Sequence, residues 1–242
     1  MRFFHLVYIS KMKNLISLIT LVFLFFSPLY SQLKEVYNEA AYPFLVYLPN
    51  DSVLDTHPPV LIFLHGRSLS GTDLNLVKKY GIMHEIEKGR KVPAIVIAPQ
   101  VLAGKSWEHA KVLSVLRYVQ KTYNTDTNRV YVAGMSLGGY GTLDFAGSYP
   151  EIVTAAVALC GGGNTKDGCR LATVPLWIQH GTNDAAVPIS ESDKIVNAIK
   201  ACNGGENLIY TRIVGANHGD LEKIFRTDEV YNWLFKYSKT KP

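Results

Sequence analysis

A mostly parallel β-sheet covered by helices on both faces, the α/β class, is what this sequence predicts, on three observations. Short apolar β-rich runs alternate along the chain with helical patterns, the order that builds a parallel sheet wrapped on two sides. Most of these runs are continuously apolar rather than alternating, as strands buried on both faces are. One of them, Val130 to Ala133, enters Gly134-Met135-Ser136-Leu137-Gly138-Gly139 and then a helical pattern. A serine between glycines at such a point marks a tight strand-to-helix turn that lifts its hydroxyl above the sheet.

The elements follow in order. Phe44 to Leu48 and Val60 to Leu64 read as strands, bounded by Pro49 and by Pro58-Pro59, since proline cannot donate to a ladder. Leu74 to Lys88 reads as one helix. Ala94 to Ala98 is a strand between Pro93 and Pro99, and Glu108 to Tyr123 a helix with Val112, Leu113, Leu116 and Val119 on one side. After the serine turn and its helix come strands at Ala155 to Leu159 and Leu176 to Gln179. A helix over Ser190 to Ala201 carries Ile195, Val196 and Ile199 at helical spacing; a strand over Leu208 to Val214 and a helix over Asp228 to Tyr237 close the chain. Without repeats, low-complexity tracts or linkers, residues 32–242 suit one domain with a sizeable core.

Residues 1–31 read as a secretory signal peptide. Lys11 and Lys13 precede an apolar run from Asn14 to Leu29, and small or polar residues lie near Ser31. Met12 offers a second, more compact start. The rival reading is an uncleaved anchor, but Pro28 and the run's modest length disfavour it, because a spanning helix wants ~20 apolar residues. Export to the periplasm, cell surface or medium follows, with no stable membrane span once the signal is removed. Cleavage removes Arg2, Lys11 and Lys13 and no acid, so the formal charge falls from +5 to +2. The mature chain has no basic cluster, hence no nucleic-acid footprint. Of the three cysteines, Cys160 ends an apolar run and reads as core, while Cys169 and Cys202 lie in polar contexts and are the better-suited pair for a disulfide. Their spacing does not resemble a zinc site.

Ser136 is the candidate nucleophile, and its hydroxyl needs a base that is itself oriented by an acid. Asp184 lies in a polar loop right after the strand ending at Gln179, and His218 right after the strand ending at Val214. Both positions fall where strand C-termini meet loops, the edge at which open α/β sheets bind ligands. Asp193 and Asp167 compete for the acid, and His65, His84, His109 and His180 for the base. His65 and His180 precede glycines at strand ends and are expected to shape loops beneath the site; His84 and His109 fall in helical stretches.

With Leu64-His65-Gly66, Gly134-Met135-Ser136-Leu137-Gly138-Gly139, His180-Gly181-x-x-Asp184-x-x-Val187-Pro188 and His218, the chain resembles an α/β-hydrolase. It is similar to the esterase/phospholipase, dienelactone-hydrolase and prolyl-oligopeptidase group, with a layout like exported bacterial feruloyl-esterase-like and predicted-peptidase members. The likeness spans residues 40–237. It implies a carboxylic-ester hydrolase with a Ser136-His218-Asp184 triad and no metal or organic cofactor. The backbone N–H of Leu137 and of Arg67 would form the oxyanion hole, with Gly66 as the alternative to Arg67. Trp107 and Met135 are candidates for a substrate pocket, although Trp107 reads equally as an anchor for its own helix. Lid domains in this fold are commonly inserted after the strand that follows the nucleophile helix. Here only Gly161 to Thr173, 13 residues, stands there, too short for a helical lid. The expected substrates are small-molecule or polymer-linked esters with short acyl, acetyl or feruloyl-type groups. A serine peptidase or amidase is the nearer alternative and a non-catalytic binding protein on the same fold the more distant one. The oligomeric state is not legible.

Overall fold

Eight strands form one sheet in the order β1-β2-β4-β3-β5-β6-β7-β8 in this computed structural model, which describes residues 32–202 and 205–239. The signal peptide read over residues 1–31 lies outside them. The strands are β1 (Gln32–Val36), β2 (Phe44–Leu48), β3 (Val60–Leu64), β4 (Ile95–Pro99), β5 (Val130–Met135), β6 (Ala155–Leu159), β7 (Leu176–Gly181) and β8 (Leu208–Ile213). β1 and β2 pair antiparallel, and β2 runs antiparallel to β4; every other pairing is parallel. The helices are α1 (Asp51–Leu54), α2 (Ile82–Glu87), α3 (His109–Thr122), α4 (Leu137–Ser148), α5 (Gly168–Leu171), α6 (Ser190–Ala201) and α7 (Asp228–Phe235).

The continuous apolar runs are explained by two cores, one on each face of the sheet. Along β3, Val60, Ile62 and Leu64 face a core built with α3, α4, α5 and α6. Leu61 and Phe63 face another, built with α2 and α7. Successive side chains of a strand point to opposite faces, so a strand covered on both sides has no polar position. All five residues of β3 are buried.

Three expectations are revised. Leu74 to Lys88 is not one helix: a 3-10 turn, Leu74–Lys78, is followed by α2, with Gly81 between them at φ +77. A Cβ at Gly81 would run into the ring of Phe63, and that left-handed backbone cannot continue a helix. The helix over Asp228 to Tyr237 ends at Phe235. A further strand, β1, occupies a sheet edge where half-polar sequence gives little apolar signal. The segment between β6 and β7 holds only a 3-10 turn, Thr165–Asp167, and α5. Cys169 of α5 is joined to Cys202, which caps α6, and Cys160 is a buried free thiol.

From β3 the parallel strands run outward in both directions, to β4 on one side and to β5 on the other. The crevice at the C-terminal ends of β3 and β5 is therefore a topological switch point, the place where such sheets bind ligands.

Candidate active site

Ser136 sits between β5 and α4 at φ 59, ψ −121, a conformation that non-glycine residues adopt only where surrounding structure enforces it. The enforcement is visible. The Ser136 N–H donates to Leu159 O at 2.9 Å, and its carbonyl accepts Tyr140 N–H at 3.0 Å. Gly138 lets α4 press onto the end of β3, since a Cβ there would strike the Leu64 and His65 carbonyls. The Ser136 side chain makes no capping bond to α4, and Leu137 supplies the first N–H of that helix, one of the donors a helix cannot satisfy internally.

Asp184 follows β7, with its side chain fully buried. Its Oδ1 accepts the N–H groups of Ala186 at 2.9 Å and Val187 at 2.8 Å. Its Oδ2 lies 2.7 Å from His218 Nδ1. Burial alone pushes this carboxyl up; the Val187 N–H, His218 and the Ala186 N–H together outweigh it and hold it below its ordinary value of 3.8. His218 opens a 3-10 helix, His218–Arg226, whose start is fixed by a capping box between Asn217 and Asp220. With Nδ1 engaged by a carboxylate, Nε2 is the ring nitrogen left for chemistry.

Ser136 and His218 line one cavity of about 1020 Å³, together with Leu137, Met135, Trp107 and Arg67. Asp184 stands behind His218 rather than in the cavity wall. Met135 is buried at the end of β5. Trp107 is both wall and anchor: its Nε1 donates to His65 O at 3.2 Å and its ring stacks edge-on against Tyr42 and His65. Arg67 starts a 3-10 turn after β3. The Gly66 N–H, the alternative to Arg67, donates to Tyr80 Oη at 3.1 Å.

Asp193 and the competing histidines each hold other partners, and the fully buried His180 also has its Nε2 3.4 Å from Asp184 Oδ2. Asp193 bonds Tyr210 and Arg212. His65 is fully buried between Gly66 O, 2.7 Å from Nδ1, and Val101 N–H. His180 bridges Ser192 Oγ at 2.8 Å and Val187 O at 2.9 Å. His84 meets Lys78 O, and His109 pairs with Asp144. Among the described residues, one group could bring three metal-binding atoms together: Cys160, Asp184 and His218, within 4.8 Å of one another. Burial pushes the Cys160 thiol up to about 12, and a protonated thiol is a poor ligand.

Sequence reasoning missed Tyr80, Tyr140, Asp144, Asn164 and Glu222 in the cavity wall. Glu222 stands one helical turn after His218, a spacing that was available; Tyr80 gave no signal, lying inside a stretch that reads as helix.

A serine at the sharp turn after a central parallel strand, in this sheet order, defines an α/β-hydrolase. More narrowly, the chain belongs to the Esterase family, whose model matches residues 37–231. It is 29% identical over 126 residues to feruloyl esterase B of Thermothelomyces thermophilus, covering 48% of this chain and 43% of that protein. It is 36% identical over 74 residues to the bifunctional acetylxylan esterase/xylanase XynS20E of Neocallimastix patriciarum, 30% of this chain and 11% of that protein. The crystal structure of a thermostable esterase superposes with a TM-score of 0.76 at 26% identity, over 86% of this chain and 63% of that one. The chain thus spans less than half the length of these two curated relatives.

Proposed function

We propose that this protein hydrolyses carboxylic esters through an acyl-enzyme, with Ser136 as nucleophile, His218 as general base and acid, and Asp184 orienting the imidazole. One observation carries the reading. The His218 ring is bound to a buried, ionised Asp184 at 2.7 Å and lines the same cavity as a serine held at positive φ.

His218 Nε2 takes the Ser136 proton as Oγ attacks the ester carbonyl. The oxyanion is stabilised by the Leu137 N–H and by the Arg67 N–H, because Gly66 is committed to Tyr80. The imidazolium, stabilised by Asp184, protonates the leaving alkoxide and the alcohol departs. Water then loses its proton to His218 while attacking the acyl-enzyme, releasing acid and restoring Ser136. The scheme asks for no metal or organic cofactor.

The substrate reading is short acyl esters or acetyl and feruloyl-type esters carried on polysaccharide. It is supported by the names of the two curated relatives and by a roomy cavity with Trp107 and Met135 in its wall. Residues 1–31 would act as the export signal and residues 32–242 as the single catalytic domain.

Wild-type protein and Ser136→Ala should be compared on p-nitrophenyl acetate, methyl ferulate and an aminoacyl anilide, alongside labelling by a fluorophosphonate probe. The variant should lose labelling and at least ~10³-fold in kcat. Normal ester hydrolysis by Ser136→Ala would refute the assignment, and a preference for the anilide would favour an amidase.

A further inference from the structure

We infer that Tyr80 is a positioning residue for the oxyanion loop, its hydroxyl fixing the backbone on both sides of Arg67. The inference rests on the proposed role of the Arg67 N–H. Tyr80 Oη accepts the Gly66 N–H at 3.1 Å and lies 3.2 Å from Ser68 Oγ. One phenol therefore ties down the residue before Arg67 and the residue after it. The contact is close to the reacting serine: a Cβ at Gly66 would stand 2.6 Å from Tyr80 Oη and 3.4 Å from Ser136 Cβ. Tyr80 lines the cavity beside Arg67, Ser68 and Ser136.

The phenol is held in turn from behind. Tyr80 precedes Gly81, whose positive φ and missing Cβ let the chain pass over the Phe63 ring, and Phe63 packs edge-on against Phe225 at 5.4 Å. The break in the Leu74 to Lys88 segment is thus what aims Tyr80 at the loop after β3. Burial raises the phenol above its ordinary value of 10, so it stays a neutral hydroxyl able to accept from the Gly66 N–H while it hydrogen-bonds Ser68 Oγ. An N–H donor works only when it is already aimed at the developing charge, because reorganisation during the reaction cancels its benefit.

The test is Tyr80→Phe, which keeps the ring and removes only the hydroxyl. With p-nitrophenyl acetate, kcat should fall about tenfold, less than the loss of a whole oxyanion donor, with KM within twofold of wild type. Affinity for a boronic acid that mimics the tetrahedral intermediate should fall by the same factor as kcat/KM, while affinity for acetate, a ground-state ligand, holds. A merely structural role would lower Tm and weaken both ligands alike, and that result overturns the proposal, as does an unchanged kcat. Should Tyr80→Phe not fold, Ser68→Ala at an exposed position carries the test: a two- to threefold loss of kcat at constant KM is expected, and wild-type kinetics would overturn it. Ser136→Ala in the same assay keeps the two readings apart. If it retains hydrolysis, the site assignment itself fails. If it is inactive while Tyr80→Phe is unimpaired, only the role of Tyr80 fails.

Discussion

His65 shows how much a single buried side chain ties the site to pH. Its Nδ1 lies 2.7 Å from the Gly66 carbonyl and must donate, so Nε2 accepts the Val101 N–H at 3.3 Å. A second proton would set two donors against each other. Burial lowers the imidazole to about 4 from its ordinary 6.5, against the smaller opposing effect of the Gly66 bond. The folded value is depressed, so the unfolded chain takes up the proton first and stability is lost as pH falls from 6.5 towards 4. At 1.36 kcal/mol per pH unit this one group accounts for on the order of 3 kcal/mol. Chemical denaturation at pH 7 and pH 4.5 should record a loss of that order, and His65→Gln should flatten the slope in that window. Asp184 is also depressed, and its contribution is present above 3.8 and lost below it. Asp184→Asn keeps an acceptor for Ala186 and Val187 but cannot orient the imidazole as the carboxylate does. Its kcat should fall by about 10⁴ with Tm nearly unchanged, measured by steady-state hydrolysis and thermal melting.

Among the elements, α4 departs furthest from a surface helix. Gly138, Gly139, Gly141, Thr142, Leu143, Phe145, Ala146 and Gly147 are all buried, which leaves only a narrow partly exposed polar strip through Tyr140, Asp144 and Ser148, too little for periodicity to orient the helix. Its glycines set the distance to β3. Gly138→Ala should destabilise the fold by about 3 kcal/mol or more, because backbone rather than a flexible side chain blocks the new methyl; loss of Tm or of soluble yield reads this out. The α5–α6 pair is joined covalently through Cys169 and Cys202, 33 residues apart. Closing a loop of that length stabilises by roughly 3 to 4 kcal/mol on the chain-entropy account. The double variant Cys169→Ala/Cys202→Ala should lose stability of that order in denaturant titration while its kcat stays within twofold of wild type, since neither cysteine lines the cavity.

Across the whole molecule, the sheet order sets where chemistry can happen. Ser136 after β5 and Arg67 after β3 stand on either side of the switch point, and the loops after β7 and β8 bring Asp184 and His218 to the same edge. Between β6 and β7 only a 3-10 turn and the four-residue α5 stand, too short to form a helical cover over the cavity. Hydrolysis of a sparingly soluble short-chain ester should therefore follow a smooth saturation curve through its solubility limit. An abrupt rise in rate at that limit would point to a moving cover.

What the sequence determined by itself is what contiguous residues encode. Strand runs show as unbroken apolar stretches such as Val60 to Leu64, α3 and α6 show as helical spacing, and the glycines around Ser136 show as turn chemistry. These gave the class, most of the elements and the residues of the proposed chemistry. Only the tertiary structure decided the contacts between positions far apart in the chain. Phe63 breaks a helical pattern at Gly81, Tyr80 reaches back to Gly66, and His218 meets Asp184 rather than another acid. Local propensity carries no information about such partners, because the energy that selects them exists only once the sheet has brought them together.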